Sequence, residues 1–274
     1  MIEIVSWNVN RRPLWLEALT GLPLVDLGLF QEAPRPSETE ELEFIPSVEG
    51  PWATAHWQRE SRTCIVRYSN ALQLAPVSLR PSEDESDYSA LGVSRGGTLT
   101  VAKVLREGRE LFTLVSAYGA WETPPGRDKP IFADASTHRL LSDLAVLVTG
   151  RRSERVLVAG DFNILYGYGE HGDKYWQRRY AAVFGRAEAM GLHLVGPQAP
   201  HGRQADPWPE ELPSDSLNVP TFHHSRQSPQ TASRQLDFVF VTDGLKDEVS
   251  VRAINEPNEW GASDHCRLLI SVDC

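Results

Sequence analysis

Gly160-Asp161-Phe162-Asn163 leaves the apolar run Val156-Leu157-Val158-Ala159, and Ser263-Asp264-His265 stands far downstream. Trp7-Asn8-Val9-Asn10 closes a first apolar segment, and Gln31-Glu32 closes a second. Acidic, amide and imidazole groups thus recur at the ends of apolar runs. Groups so distant in the chain converge only if a sheet-based fold brings strand ends together. Their chemistry suits a hard divalent cation and an oriented water attacking a phosphodiester. Asp161 and Asn163 are two residues apart, so an extended segment points both to one side. The plainer reading of that string is a turn after a strand, because Asp and Asn are common turn formers.

The elements that must position these groups can be read from periodicity. Ile2 to Val9 reads as a strand, and so do Val25 to Phe30, Thr63 to Tyr68, Thr98 to Leu105 and Leu111 to Ala117. Val156 to Ala159, Leu236 to Val241 and Leu268 to Val272 complete the strand set. Pro13 to Leu19 reads as a short helix opened by proline, and Phe132 to Val148 and Tyr175 to Met190 have helical spacing. Several strands are neighbours in sequence, which predicts mixed sheets rather than a purely parallel one. Pro81 to Asp87 and Pro197 to Pro220 read as surface loops.

The chain has 274 residues, ample for a large core, and 41% are apolar. No apolar run approaches the roughly 20 residues of a membrane span. Met1 to Val5 reads as a first strand and not as a signal peptide. Cys64, Cys266 and Cys274 are odd in number and lack metal-binding spacing. That pattern predicts a reduced, cytoplasmic protein without a disulfide framework. The net charge of −10 argues against a broad basic clamp for nucleic acid, though it leaves room for a narrow basic groove. Of the 27 basic residues four are lysines. Arginine grips phosphate bidentately, while compositional bias explains the same excess.

In this order the motifs resemble the endonuclease/exonuclease/phosphatase superfamily, which includes exonuclease III, the abasic-site endonucleases and pancreatic deoxyribonuclease. The resemblance runs from Trp7 to His265. It implies one domain over residues 1–274, of α/β (α+β) class: a four-layer sandwich of two mixed β-sheets flanked by helices. It also implies a magnesium-dependent phosphodiesterase, with manganese as the alternative ion. Glu32 is then the direct metal ligand, Asn8 helps position metal and phosphate, and Asp264 lies near the metal. Asp161 takes a proton from the attacking water, and Asn163 donates to a phosphate oxygen. Asp237 orients His265, which contacts the scissile phosphate as a protonated imidazole. Tyr118 matches a position that reaches the phosphate, and Asn10 falls where some relatives carry a metal-facing aspartate.

By the same resemblance Trp121, Phe222 and Trp260 line a substrate groove, where aromatic rings can stack on bases. The expected partner is nucleic acid, DNA first, with no membrane and no obligate protein partner. The competing substrate is a small-molecule or lipid head-group phosphate, which the acidic balance favours; a binding protein without catalysis is a third reading. Trp121 stands where abasic-site endonucleases carry asparagine, and Gln235 where they carry arginine, so abasic-site specificity is not implied. Glu170, His171 and Asp173 form a second metal site or a solvated loop. Arg178, Arg179 and Arg186 read as a solvated helix face.

Overall fold

Alternation decides which way each strand faces. Ile2 and Ile4 pack into one cluster with Leu27, Leu29, Leu114, Leu157, Ala159, Val239 and Ile270. The intervening Val5 and Trp7 pack into another, with Phe30, Trp15 and Trp52. Val156 and Val158 face a third, with Leu140, Leu144, Tyr180 and Phe238. Period-two reading of these strands therefore defines an inner layer between two sheets and an outer layer on each side.

The structure, a computed structural model, describes residues 1–38, 41–54, 60–84, 86–129, 131–148 and 154–274. In chain order come β1 (Ile2–Asn8), β2 (Leu27–Ala33), β3 (Glu43–Ile45), β4 (Arg62–Arg67), β5 (Gln73–Pro76), β6 (Leu79–Pro81) and β7 (Leu91–Val93). They are followed by β8 (Leu99–Arg106), β9 (Arg109–Tyr118), α1 (Ala133–Leu144), β10 (Val156–Asp161) and α2 (Lys174–Ala189). The chain ends with β11 (His193–Gly196), β12 (Asp237–Val241), β13 (Val249–Ile254) and β14 (Arg267–Val272). One sheet has the order β13-β14-β1-β2-β4-β3 and the other β11-β12-β10-β9-β8-β5, with β6-β7 as a separate pair. β1 runs parallel to β2 and antiparallel to β14. β10 runs parallel to β9 and antiparallel to β12. Each sheet is mixed, and the carboxyl ends of β1, β2, β9 and β10 are the ends that carry the motif residues.

The flanks are built differently on the two sides. α1 and α2 cover the second sheet. Asp173 caps α2 by accepting from Tyr175 N at 2.7 Å, and Gly191 at φ 85° follows its last turn. Arg179 pairs with Asp134 at 2.6 Å, and Arg186 donates to His138 O and Ser142 Oγ. These two arginines tie α2 to α1, so the solvated face expected of them is reduced to Arg178. On the first sheet the expected helix from Pro13 shrinks to a 3₁₀ turn, Glu17–Leu19. Trp15 and Trp52 from loops, packed on Phe44 of β3, cover the sheet there instead.

β3, β5, β6, β7, β11 and β13 were not expected from the sequence. Five have three or four residues, and β13 is exposed at alternate positions. Short edge strands give too few periods to read. Pro81 to Asp87 follows β6 as a loop, with Glu85 outside the described residues, and 197–220 contains no helix or strand. All three cysteines are free. Among the described residues no helix is long and apolar enough to cross a membrane.

Candidate active site

Asp161 ends β10 on the inner side of its sheet, in phase with Leu157 and Ala159. It is 1% exposed. Gly160 makes its position possible: φ is 153°, and a Cβ there would lie 1.9 Å from Ala117 O on the neighbouring strand. Asp161 Oδ1 accepts from Asn163 N at 2.8 Å, which forms the turn that the string Asp-Phe-Asn suggests. Oδ2 accepts from Asn163 Nδ2 at 3.0 Å and from Asn8 Nδ2 at 2.9 Å. Asn163 sits at φ 53°, a region that Asn tolerates. Trp121 Nε1 donates to Asn163 Oδ1 at 2.9 Å, so this half-buried indole holds the amide at the rim of the cluster.

Glu32 reaches the same place by a different device. Regular alternation along β2 would put Leu29 and Gln31 inside and Phe30 and Glu32 outside. β2 instead pairs Phe30 with Cys64 and then Ala33 with Arg62, so two residues oppose Thr63 alone. This bulge, with Glu32 at φ 47°, re-aims the carboxylate. Glu32 Oε1 accepts from Tyr118 OH at 3.0 Å and from Asn8 Nδ2 at 3.5 Å. Oε2 pairs with Arg11 Nε at 3.0 Å. Burial pushes the Tyr118 phenol well up, and the Glu32 charge adds to this, so it remains a donor. Tyr118 therefore holds Glu32 in this structure, a role beyond the phosphate contact expected of it. Arg11 was missed by sequence reasoning. Its signal lay in its place directly after the Trp-Asn-Val-Asn string.

His265 Nδ1 meets Asp237 Oδ2 at 2.8 Å, and its Nε2 lies 3.8 Å from Asp161 Oδ2. Asp237 opens β12 opposite Asp161 in the ladder, and Thr221 Oγ1 accepts from its backbone N at 3.1 Å. Trp7 Nε1 donates to His265 O at 2.8 Å, and Ser263 Oγ donates to Asn8 O at 2.7 Å. These bonds lock the last motif onto the first. Burial alone would lower the His265 pKa, but the Asp237 and Asp161 charges outweigh it and lift it to about 10. Burial pushes Asp161 up as well, to about 7, against the pull of His265. Asp264 Oδ1 accepts from Asn10 Nδ2 at 3.1 Å and from Ser263 Oγ at 3.2 Å. Asn10 thus holds Asp264 rather than replacing a carboxylate.

Asp161, Asp237 and His265 have ligand atoms within 4.8 Å of one another. His265 Nδ1 is already committed to Asp237, so this group reads as a hydrogen-bonded pair with the Asp161 carboxylate 3.8 Å from Nε2. The oxygen donors at Glu32, Asn8 and Asp264 suit a hard cation better. Asn10, Arg11, Glu32 and Asn163 all have left-handed backbone; Asn tolerates it, while Arg11 and Glu32 each cost on the order of 1–2 kcal/mol. Two strained positions beside one cluster mark it as a site held against local preference.

The expected stacking residues fall elsewhere. Trp260 is 1% exposed and belongs to the inner core, with His223 packed 5.4 Å from its ring. A buried ring offers no face to a base, and the groove role expected of Trp260 is corrected accordingly. Phe222 packs 5.0 Å from the His265 ring and forms a wall of the site. Glu170 is taken by Arg234 and Tyr180, and Asp173 caps α2, so the second metal site is not assembled. Gln235 bonds Val219 N and Pro197 O, pinning both ends of the long loop.

No protein-family model matches the chain, and no curated protein matches it by sequence. Solved structures do. An AP endonuclease from Archaeoglobus fulgidus is 16% identical with a TM-score of 0.62, covering 100% of both chains. The endonuclease domain of TRAS1, a telomere-specific non-LTR retrotransposon, is 18% identical with a TM-score of 0.59, covering 100% of this chain and 99% of that one. The 3′ phosphatase NExo from Neisseria, bound to a product DNA hairpin, is 14% identical with a TM-score of 0.57 and covers 100% of both. At these identities the likeness is one of fold. This chain shares with them the sandwich of two mixed six-stranded sheets.

Proposed function

We propose that the chain is a divalent-metal-dependent phosphodiesterase, and that its substrate is DNA, hydrolysed by in-line attack of water. The observation that carries this reading is one hydrogen-bonded cluster joining Glu32, Tyr118, Asn8, Asp161 and Asn163, with the His265–Asp237 pair 3.8 Å away. Glu32, Asn8 and Asp264 would hold Mg²⁺ or Mn²⁺, which when bound neutralises charge on phosphate oxygens. Asp161 takes the proton of the attacking water, Asn163 orients Asp161 with its amide donors placed on Asp161 Oδ2 and Gly119 O, and protonated His265 stabilises charge growing on the phosphate oxygens. Asp237 keeps the imidazole charged and fixed.

Among the fold relatives are an AP endonuclease and a 3′ phosphatase bound to a product DNA hairpin, which supports a phosphate-ester substrate on DNA. The net charge of −10 favours the competing reading, a small or lipid head-group phosphate. Purified protein should be assayed with Mg²⁺ and Mn²⁺ on single- and double-stranded DNA, RNA, abasic DNA, 3′-phosphorylated DNA and inositol phosphates. Cleavage of DNA well above every soluble ester supports the reading. Faster turnover of inositol phosphates replaces it with the head-group reading.

A further inference from the structure

Arg62 opens β4 and is 6% exposed. Its Nε donates to Thr63 O at 3.1 Å, and its Nη1 donates to Pro51 O. A guanidinium has five N–H donors, and among the described residues no carboxylate pairs with this one. Other buried arginines are treated differently. Arg95 pairs with Glu122 at 3.3 Å. Arg267 donates to the carbonyls of Glu17, Ala18, Thr20 and Glu259 and lies over the Trp7 ring. A buried charge is costly unless it is paired, and burial pulls the Arg62 pKa down. Among the described residues Arg62 is a buried cation with donors placed on two carbonyls and no carboxylate beside it.

It lines a cleft of about 510 Å³ at the open edge of the sandwich, between β3–β4 of one sheet and β5–β8 of the other. Ile45, Pro46, Val77, Leu79, Val93 and Val101 supply apolar walls. Arg80 is the second cation on the lining; its guanidinium donates to the carbonyls of Asp87, Pro81 and Asp84. None of the described lining residues is acidic, and none belongs to the catalytic cluster. Cavities of roughly 300–1,000 Å³ with apolar walls and a few placed polar groups are the ordinary form of small-molecule sites.

We propose that this cleft is a second ligand site for a small amphipathic anion, a hydrocarbon or aromatic body with one carboxylate or phosphate head seated on Arg62. The apolar walls take the body, and the unpaired guanidinium donors take the head in a charge-assisted contact. The site is independent of the catalytic reading, since it shares no residue with it.

The test is calorimetric titration of the whole chain with decanoate, decyl phosphate and decanol. Decanoate or decyl phosphate should bind once per chain, and decanol at least about tenfold more weakly; the two anions together distinguish a carboxylate head from a phosphate head. Arg62→Gln keeps side-chain donors for the carbonyls and removes the charge, and it should weaken the anion by about tenfold or more. Val77→Trp fills the cleft while leaving Arg62 in place, and it should abolish binding even if Arg62→Gln proves unstable. Equal binding of decanol and the anions, wild-type affinity in both variants, or no binding of either anion up to the order of 1 mM overturns the proposal.

Discussion

Asn8 and Asp161 stand on different sheets, 153 residues apart in the chain, and Asn8 Nδ2 donates to Asp161 Oδ2 at 2.9 Å. The same amide nitrogen lies 3.5 Å from Glu32 Oε1. One side chain therefore spans the seam of the sandwich and sets the separation of its two central carboxylates. Asn8→Ala should loosen both at once. Turnover should fall, and the melting temperature should fall with it, since three side-chain bonds are lost and a buried carboxylate loses a donor, a cost of roughly 1–3 kcal/mol. Kinetics and a thermal melt on the same sample check this, and wild-type turnover would leave the amide with no catalytic consequence.

Asp161→Asn keeps the shape and removes the base. Loss of a general base typically costs on the order of a hundredfold or more. Substrate binding should persist, measured on an uncleavable oligonucleotide. Wild-type hydrolysis would reduce Asp161 to a turn residue.

Glu32→Gln tests the metal. Titration of Mg²⁺ or Mn²⁺ into the apo chain should show a bound ion for the wild type and much weaker binding for the variant, with turnover lost in parallel. Full activity in excess chelator would sink the idea.

His265 and Asp237 should behave as one unit. In a double-mutant cycle with His265→Ala and Asp237→Asn, the interaction energy should reach about 1 kcal/mol or more. Additive losses would refute the pairing.

The pH profile follows from the same groups. The proposed mechanism requires Asp161 without its proton and His265 with one. Burial raises Asp161 to about 7, so the rate should rise with pH through that value. Burial opposes His265, but Asp237 and Asp161 raise it to about 10, so the rate should fall as pH passes through that value. Asp237→Asn removes the charge that lifts His265 and should move the alkaline limb to lower pH. An unmoved limb would show that Asp237 does not set the imidazole's charge.

The inner-facing half of the site was legible because alternation is strict where one face is buried. Leu157, Ala159 and Asp161 share a phase, as do Ile4, Ser6 and Asn8, and motif order supplied the rest. Glu32 was legible as a residue type but not as a direction. The bulge opposite Thr63 depends on pairing across strands, which no single segment displays. Trp260 was misread for a related reason: an aromatic beside a motif has the same sequence signature whether it lines a groove or fills the core. Its burial reverses the expectation. Trp260→Ala should cost about 3–5 kcal/mol of stability, seen in denaturant melts, before any effect on binding is considered.

Glu32 at φ 47° has a consequence for how such a chain can change. Glycine would relieve the backbone there, and asparagine would suit it better than glutamate does. A library screened for heat resistance alone should therefore enrich Gly or Asn at position 32, and each enriched clone would lose the carboxylate that Tyr118 and Asn8 hold in place. Selection for durability and selection for turnover pull this residue in opposite directions.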